Sequence, residues 1–162
     1  MNKSIYSKYV FYFFLFFSIF TLDRISKIYI LNIANNEELN IYINEFLNII
    51  LIWNTGIGFG LLSFSDNFLY NAITFIILLI NFILIYLAVA SNSIKRILYI
   101  VILGGSFGNL FDRFYYSAVP DFIDINFNGY HWFVFNVADI FISIGITCLI
   151  FMEILDYKKL SK

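Results

Sequence analysis

The sequence contains 28 consecutive residues without a charged side chain, from Asn67 to Ile94. About 20 apolar residues in a helix are enough to cross the ~30 Å hydrocarbon core of a bilayer. The rest of the chain agrees with this feature, because 61% of its 162 residues are hydrophobic and only 13% are charged. The sequence therefore predicts an integral membrane protein in which residues 1–162 form a single domain.

The 28-residue stretch is one of four apolar runs. The pattern predicts four transmembrane helices, at about residues 9–30, 67–90, 95–113 and 135–156. Polar regions separate them at about residues 31–66 and 114–134. The basic start followed by a short apolar run also fits a cleaved signal peptide. Because no small-x-small cleavage site follows, an uncleaved first helix is favoured.

Basic residues are concentrated at the two termini and in the turn between the second and third runs. Seven of the ten lie there: Lys3, Lys8, Lys95, Arg96, Lys158, Lys159 and Lys162. The positive-inside rule then predicts that both termini are cytoplasmic and both polar regions are extracytoplasmic. The expected fold class is an all-α membrane protein with a small β element outside the membrane.

The first polar region supplies that β element. Residues Ile41 to Trp53 alternate loosely and are rich in β-branched side chains, which predicts short strands. Asn54 to Gly60 follows, with three glycines in five positions, and predicts a turn or a close backbone approach. It is not a phosphate-binding loop, because no Lys-Ser or Lys-Thr pair completes that motif.

Several kinds of site are missing from the sequence. The net charge of −1 gives no basic surface for nucleic acid, and a lone Cys148 excludes an internal disulfide. Cys148 stands among apolar residues, so a packing role is expected for it. His131, the single histidine, has no evident acidic or sulfur partner and is expected at an interface. No metal or cofactor is expected, and carboxylates remain as the candidate reactive groups.

Three of the predicted helices bring an acid to the same level of the membrane. Counted from the basic residues at the cytoplasmic helix ends, Asp23, Asp112 and Asp139 lie roughly 22–28 Å along their helices. They are therefore expected near the outer boundary of the bilayer. The alternative is a small transporter or a non-catalytic membrane subunit with a proton relay, which predicts acids near the midplane or in series across the membrane.

Small and polar residues share one side of the third helix. Four-residue spacing relates Gly104, Gly108 and Asp112, and the adjoining ridge carries Gly105, Asn109 and Arg113. Gly104 and Gly105 predict close helix packing. The three polar residues would suit a wet cavity, although a purely structural Asp112–Arg113 pair is slightly favoured for Asp112.

Two further carboxylates complete the candidates. Asn136 and Asp139 lie three residues apart at the start of the fourth helix, where helix capping and a functional role are equally compatible with the spacing. Asp121 and Asp124 are expected in a solvated loop. Two carboxylates held a few ångströms apart share a proton, so that one can act as a base and the other as an acid. Such a pair activates water against an amide.

The polar candidates fall into five sequence blocks: Asp23-Arg-Ile-Ser-Lys27, Asn54-Thr-Gly-Ile-Gly-Phe59, Gly104-Gly-Ser-Phe-Gly-Asn-Leu-Phe-Asp-Arg113, Val119-Pro-Asp-Phe122 and Phe135-Asn-Val-Ala-Asp139. Together these blocks resemble the lipoprotein signal peptidase (signal peptidase II) family of bacterial membrane aspartyl proteases. They occur in the family's order and cover the whole chain.

The resemblance implies an endopeptidase that removes signal peptides from diacylglyceryl-modified prolipoproteins, cleaving just before the lipid-modified cysteine. It implies that Asp121 and Asp139 are the catalytic pair. Asn109 and Arg113 then line the substrate cleft, and Asn136 supports Asp139. Six further positions are implied to shape or brace the site: Asp23, Lys27, Asn54, Gly56, Gly108 and Asp112.

The resemblance also implies a setting. It places the protein in the bacterial cytoplasmic (inner) membrane, in contact with membrane lipid, with the active site at the extracytoplasmic face. We expect a monomer without a cofactor. The Ile41 to Trp53 region is similar to the family's small β-cradle, and the second polar region is similar to its flexible flap.

Three positions depart from the family pattern. Ser106 and Gly58 each replace the usual Ala, and Pro120 stands where Val is usual. Pro120 removes a backbone donor immediately before Asp121. We expect it to be tolerated, because every acid and amide of the motifs is present.

Overall fold

A computed structural model describes residues 3–35, 39–56, 67–127 and 130–160. Its helices are α1 Lys3–Ala34, α2 Asn67–Ala90, α3 Ser93–Tyr116 and α4 Val137–Leu160. Its strands are β1 Asn40–Asn44, β2 Leu47–Asn54, β3 Val119–Phe127 and β4 Tyr130–Phe135. The acids Glu37 and Glu38, and the glycine-rich turn beyond Gly56, lie outside the described residues.

Within the part of the chain that the structure describes, three helices are long and apolar enough to cross a membrane: Phe68–Ala90, Ile94–Tyr116 and Val137–Lys158. Much of their apolar surface faces outward, as at Phe82 of α2 and Phe151 of α4. Contiguous exposed apolar surface of this extent is unusual for a soluble monomer and suits contact with lipid. The protein is therefore mostly helical, with membrane-capable helices and one small sheet.

Helix α3 packs against each of the other three helices, and α1 also contacts α4. Two glycines make the approach possible. A Cβ on Gly104 would lie 2.9 Å from the Ile19 side chain of α1, and a Cβ on Gly105 would lie 2.6 Å from the Ala138 carbonyl oxygen of α4. The expected close helix packing at these glycines is confirmed.

The four strands form one antiparallel sheet in the order β1-β2-β3-β4. The short strands expected between Ile41 and Trp53 are confirmed as β1 and β2. The described residues of the second polar region form β3 and β4, and the expected role of this region as a flap stays a prediction. A β-branched ladder joins this region to the first, because Ile49 of β2 is paired with Ile123 of β3.

Three expectations about single side chains are wrong. Asp124 is not in a solvated loop but is fully buried in β3, where its carboxylate accepts a hydrogen bond from Asn48 (3.2 Å). The same oxygen lies 2.7 Å from Nδ1 of His131, so this histidine does have an acidic partner. The β3–β4 pairing creates that contact. Cys148 is exposed on α4 rather than packed inside.

The packing of α3 on α4 leads to a stability prediction. Gly105→Ala forces the new methyl group against the Ala138 backbone, which cannot rotate away as a side chain can. We expect a loss of about 1–3 kcal/mol in the free energy of unfolding, typical of overpacking. Equilibrium unfolding in detergent or lipid measures it.

The matched control is Cys148→Ala, which changes an exposed side chain on α4 and leaves the helix contacts intact. We expect no measurable change for it. Equal stability of Gly105→Ala and the wild type would contradict the packing described here.

Candidate active site

Four aspartates gather at the end of the helix bundle that meets the sheet. Asp23 and Asp112 are fully buried, Asp121 is 2% exposed and Asp139 is 6% exposed. Buried carboxylates need hydrogen-bond donors or counter-charges, because a desolvated charge without a partner is strongly unfavourable. The donors around them define the site.

Asp121 lies in β3, and amide groups hold both of its oxygens. Asn54, the last residue of β2, donates from Nδ2 to Oδ2 (2.8 Å). Asn136 donates from Nδ2 to Oδ1 (2.6 Å). The preceding Pro120 is paired with Trp53 of β2, whereas the pairing of β3 with β4 begins only at Ile123. A proline fits there because β3 has a partner on one side only.

Asp139 lies in the first turn of α4 and forms a reciprocal cap with Asn136. The Asp139 backbone N–H donates to Asn136 Oδ1 (3.1 Å), and the Asn136 backbone N–H donates to Asp139 Oδ2 (3.2 Å). This is the arrangement of a capping box. The capping and functional interpretations are thus compatible, because the remaining Asn136 donor reaches Asp121. One asparagine joins the two carboxylates.

Asn109 of α3 holds the other oxygen of Asp139. Its Nδ2 donates to Asp139 Oδ1 (2.8 Å), while its Oδ1 accepts from Lys27 Nζ (2.7 Å). A lysine ammonium can only donate. Lys27 therefore fixes the orientation of the Asn109 amide and keeps its NH₂ group directed at Asp139.

Lys27 is itself fully buried between two acids. Its ammonium lies 2.8 Å from Asp23 and 2.7 Å from Asp112, and Arg24 forms a second ion pair with Asp112. The common contact with Lys27 places Asp23 and Asp112 at one level. Asp112 therefore pairs with α1 and not, as a local pair, with Arg113.

Helix α4 is tied to the same group of charges. Asp23 accepts a hydrogen bond from the backbone N–H of Ala138 (2.9 Å), the residue before Asp139. Gly108 of α3 leaves room for this contact, since a Cβ there would lie 3.0 Å from Asp23 Cγ. These contacts hold α1, α3 and α4 together beside Asp139.

Arg113 lies in the C-terminal turn of α3, is 5% exposed, and completes the group. Its Nη2 donates to the Gly56 carbonyl, and the Gly56 N–H donates to Asn54 Oδ1 (2.8 Å). The guanidinium interacts electrostatically with both Asp121 and Asp139. Its Nη1 has no hydrogen-bond partner among the described residues.

Every candidate from the sequence is thus in or beside this cluster, but two contributors were missed. Tyr70 of α2 donates to the Arg113 carbonyl (3.1 Å), and nothing in its sequence context indicated this. Arg24 is adjacent to Asp23 and could have been selected as a second basic residue beside an acid in an apolar run. Its guanidinium also lies 4.6 Å from the centre of the Phe111 ring.

Burial and neighbouring charges make the environment of the two aspartates that Asn136 joins different from that of an exposed aspartate. Burial, followed by the negative charge of Asp139, raises the pKa of Asp121 from its ordinary value to about 7. A carboxyl group with a pKa raised in this way is suited to hold a proton near neutral pH. Within the described ranges, no three His, Cys, Asp or Glu side chains are grouped to hold a metal ion.

Comparison with known proteins identifies the family of this site. The family model described as signal peptidase (SPase) II matches residues 15–155. The chain belongs to the signal peptidase II family. A lipoprotein signal peptidase of Pelagibacter ubique is 53% identical over 133 residues, which cover 82% of this chain and 80% of the relative. That of Anaplasma phagocytophilum is 38% identical over 136 residues, covering 82% and 84%.

Two solved structures share the overall fold of this chain. A bacterial membrane enzyme determined in meso at 2.3 Å resolution superposes with a TM-score of 0.74 at 28% identity, over 91% of this chain and 90% of that one. A second, at 1.9 Å resolution, gives 0.67 at 27% identity, over 87% and 90%. The helices and sheet of this signal peptidase II family member are therefore those of a bacterial membrane enzyme.

The buried charges lead to a prediction for Lys27. Lys27→Met leaves Asp23 and Asp112 buried beside a single remaining cation, Arg24. Removing one partner of a buried ion pair costs about 3–5 kcal/mol. We expect a loss of that size in the free energy of unfolding, measured by equilibrium unfolding in lipid.

Lys95→Met is the matched control. Lys95 pairs with Glu153 and Asp156, whose side chains are 64% and 49% exposed, so water replaces the lost contacts. We expect little change in stability. If both variants unfold alike, the buried Lys27 network does not hold the helices as described.

Proposed function

We propose that this protein is an aspartic endopeptidase that removes signal peptides from diacylglyceryl-modified prolipoproteins, cleaving just before the lipid-modified cysteine. The observation that carries the proposal is the bridge of Asn136 between Asp121 and Asp139, at 2.6 Å and 3.2 Å. Two bridged carboxylates, one of them with a pKa raised to about 7, are suited to share a proton and activate water. Membership of the signal peptidase II family supports the substrate class.

The proposed reaction uses one ionised and one protonated carboxyl group of the pair. The ionised carboxylate takes a proton from water as the oxygen attacks the scissile carbonyl, and the protonated carboxyl polarises that carbonyl. The same pair then donates a proton to the leaving amine. Asn54, Asn109 and Asn136 hold the carboxylates by donating amide hydrogens, which position them without adding charge. Arg113 supplies positive charge where the oxyanion develops.

The proposal includes a membrane topology. All four helices cross the bacterial cytoplasmic membrane, both termini are cytoplasmic, and the sheet and the aspartate pair lie at the extracytoplasmic face. The ion pairs of Lys95 with Glu153 and Asp156 lie toward the C-terminal end of α4, opposite the Asp139 end, in agreement with the excess of basic residues there. The protein acts as a monomer, because one chain supplies both aspartates and their donors.

The positions of the acids favour hydrolysis over transport. A proton relay needs titratable groups in series across the membrane. Asp23, Asp112 and Asp139 instead converge at one end of the bundle, through Lys27 and Asn109. Two of these acids are neutralised by ion pairs. Of these three acids, Asp139 is the one that Asn136 joins to a fourth carboxylate, that of Asp121.

Substitution of the pair tests the proposal. Asp121→Asn and Asp139→Asn each keep the shape of the side chain but remove the proton that the pair shares. We expect each to lower kcat for a purified diacylglyceryl prolipoprotein by about 10²–10⁴-fold, the usual contribution of general acid–base catalysis. The measurement is single-turnover cleavage in lipid nanodiscs.

Asp124→Asn is the matched control, because it changes another buried aspartate of the same strand. We expect it to keep most of the wild-type rate. Wild-type cleavage by either pair variant would exclude the proposed dyad. Equal losses in all three variants would show that the assay reports strand stability rather than chemistry.

A further inference from the structure

A cleft lies between the outer ends of α2 and α3, beside the candidate active site. Its volume is about 340 Å³, and it is partly open to the surroundings. It is lined by α2 residues Tyr70, Asn71, Thr74, Phe75 and Leu78, and by Arg113, Phe114 and Ser117 at the end of α3. The roles derived above for Arg113 and Tyr70 assign no ligand to this cleft.

The lining changes from polar to apolar along α2. Asn71, near the start of the helix, and Ser117, at the end of α3, are exposed polar residues at the outer mouth. Phe75 and Leu78 lie one and two turns further along the helix, roughly 6–10 Å deeper. A cleft with this gradient suits an amphiphile whose polar head lies at the mouth and whose apolar chain points into the bilayer.

At the polar end of the cleft, Arg113 has a hydrogen-bond donor that is not used within the described residues. Its guanidinium is buried, its Nη2 donates to the Gly56 carbonyl, and its Nη1 has no hydrogen-bond partner among the described residues. Buried polar groups in native proteins almost always have partners. The Tyr70 side chain also interacts with the guanidinium, and a ligand oxygen in the cleft would supply Nη1 with an acceptor of its own.

The groups that line the cleft limit which ligand can supply an acceptor to Arg113. Arg113 Nη1, the Asn71 amide and the Ser117 hydroxyl can all donate, and the described cleft lining contains no carboxylate. A ligand with several acceptor oxygens and few donors fits such a set. A glyceryl diester has two ester carbonyls of this kind, each attached to a long apolar chain that continues along Phe75 and Leu78.

The cleft lies close enough to the two aspartates for a lipid attached beside the cleaved bond to reach it. Arg113 borders it, contacts Gly56 and interacts with both Asp121 and Asp139. In the proposed reaction the lipid is attached to the residue just after the cleaved bond, so the lipid head must lie within a side chain's length of the pair. Arg113 spans that distance between the reacting bond and the cleft.

We propose that the α2–α3 cleft receives the glyceryl diester of the lipid carried by the substrate cysteine, with Arg113 Nη1 donating to an ester carbonyl and Leu78 contacting the first methylene groups. This inference rests on the proposed function. It assigns the lipid dependence of cleavage to named residues outside the catalytic pair. The proposed ligand of the cleft is the lipid of the substrate, and not a phospholipid of the bilayer.

Filling the cleft tests the inference. Leu78→Trp puts a larger side chain into the apolar end, whereas Leu79→Trp puts the same side chain on the neighbouring position, which is 45% exposed on the helix surface. The two substrates are a diacylglyceryl-cysteine peptide and the same peptide with a short thioether lacking the glyceryl diester. KM and kcat are measured for both substrates in nanodiscs.

We expect Leu78→Trp to raise KM for the diacylglyceryl peptide about tenfold, as for other changes of one group in an apolar pocket, with little effect on kcat. KM for the short peptide and both constants of Leu79→Trp stay near wild type. If Leu78→Trp leaves KM unchanged, or raises it equally for both peptides, the cleft does not hold the substrate lipid. If the wild type cleaves neither peptide, the proposed function fails, and this inference fails with it.

A second measurement distinguishes the two possible lipids. A photoreactive phenylalanine at position 75, in the Asp139→Asn background, is irradiated with saturating diacylglyceryl peptide in phospholipid nanodiscs. We expect the peptide's lipid as the main adduct, and competition by unlabelled diacylglyceryl peptide. Phospholipid adducts that persist at saturating peptide would assign the cleft to the bilayer and overturn the proposal.

Discussion

The structure depends on one buried ammonium group. Lys27 of α1 is fully enclosed, so its charge must be satisfied inside the protein. Asp23 and Asp112 supply the negative charge and Asn109 supplies an acceptor, which fixes α1 against α3. Asp23 in turn accepts from the backbone of α4 at Ala138. A single requirement for charge compensation therefore sets the relative positions of three helices.

The proposed catalytic pair joins that helical framework to the sheet. Asp139 belongs to the framework, because Asn109 connects it to Lys27. Asp121 belongs to β3 and reaches the pair through Asn136, the residue between the end of β4 and the start of α4. The geometry of the pair is thus decided where a strand becomes a helix. Arg113 extends the same framework to the α2–α3 cleft.

Local patterns in the sequence predicted the apolar runs, the first two strands and the common level of Asp23, Asp112 and Asp139, since each follows from periodicity or helix rise. Contacts between distant segments could not be predicted in this way. The pairing of β3 with β2 and β4 buried Asp124 and brought His131 to it, although the sequence predicted a solvated loop for Asp124 and an interface position for His131. Asp121 had also looked like an ordinary loop acid, and only the family resemblance selected it.

The central claim is that Asp121 and Asp139 share a proton near neutral pH, and the carboxyl carbons report this directly. Carbon-13 NMR of labelled aspartate, recorded against pH in nanodiscs, should show one carboxyl that titrates with a midpoint near pH 7 and is absent in Asp121→Asn. Below that pH Asp121 keeps its proton, and above it the shared proton and the cleavage rate are lost together. If the Asp121 carboxyl titrates only near the ordinary aspartate value of about 4, the pair does not share a proton and the account is wrong.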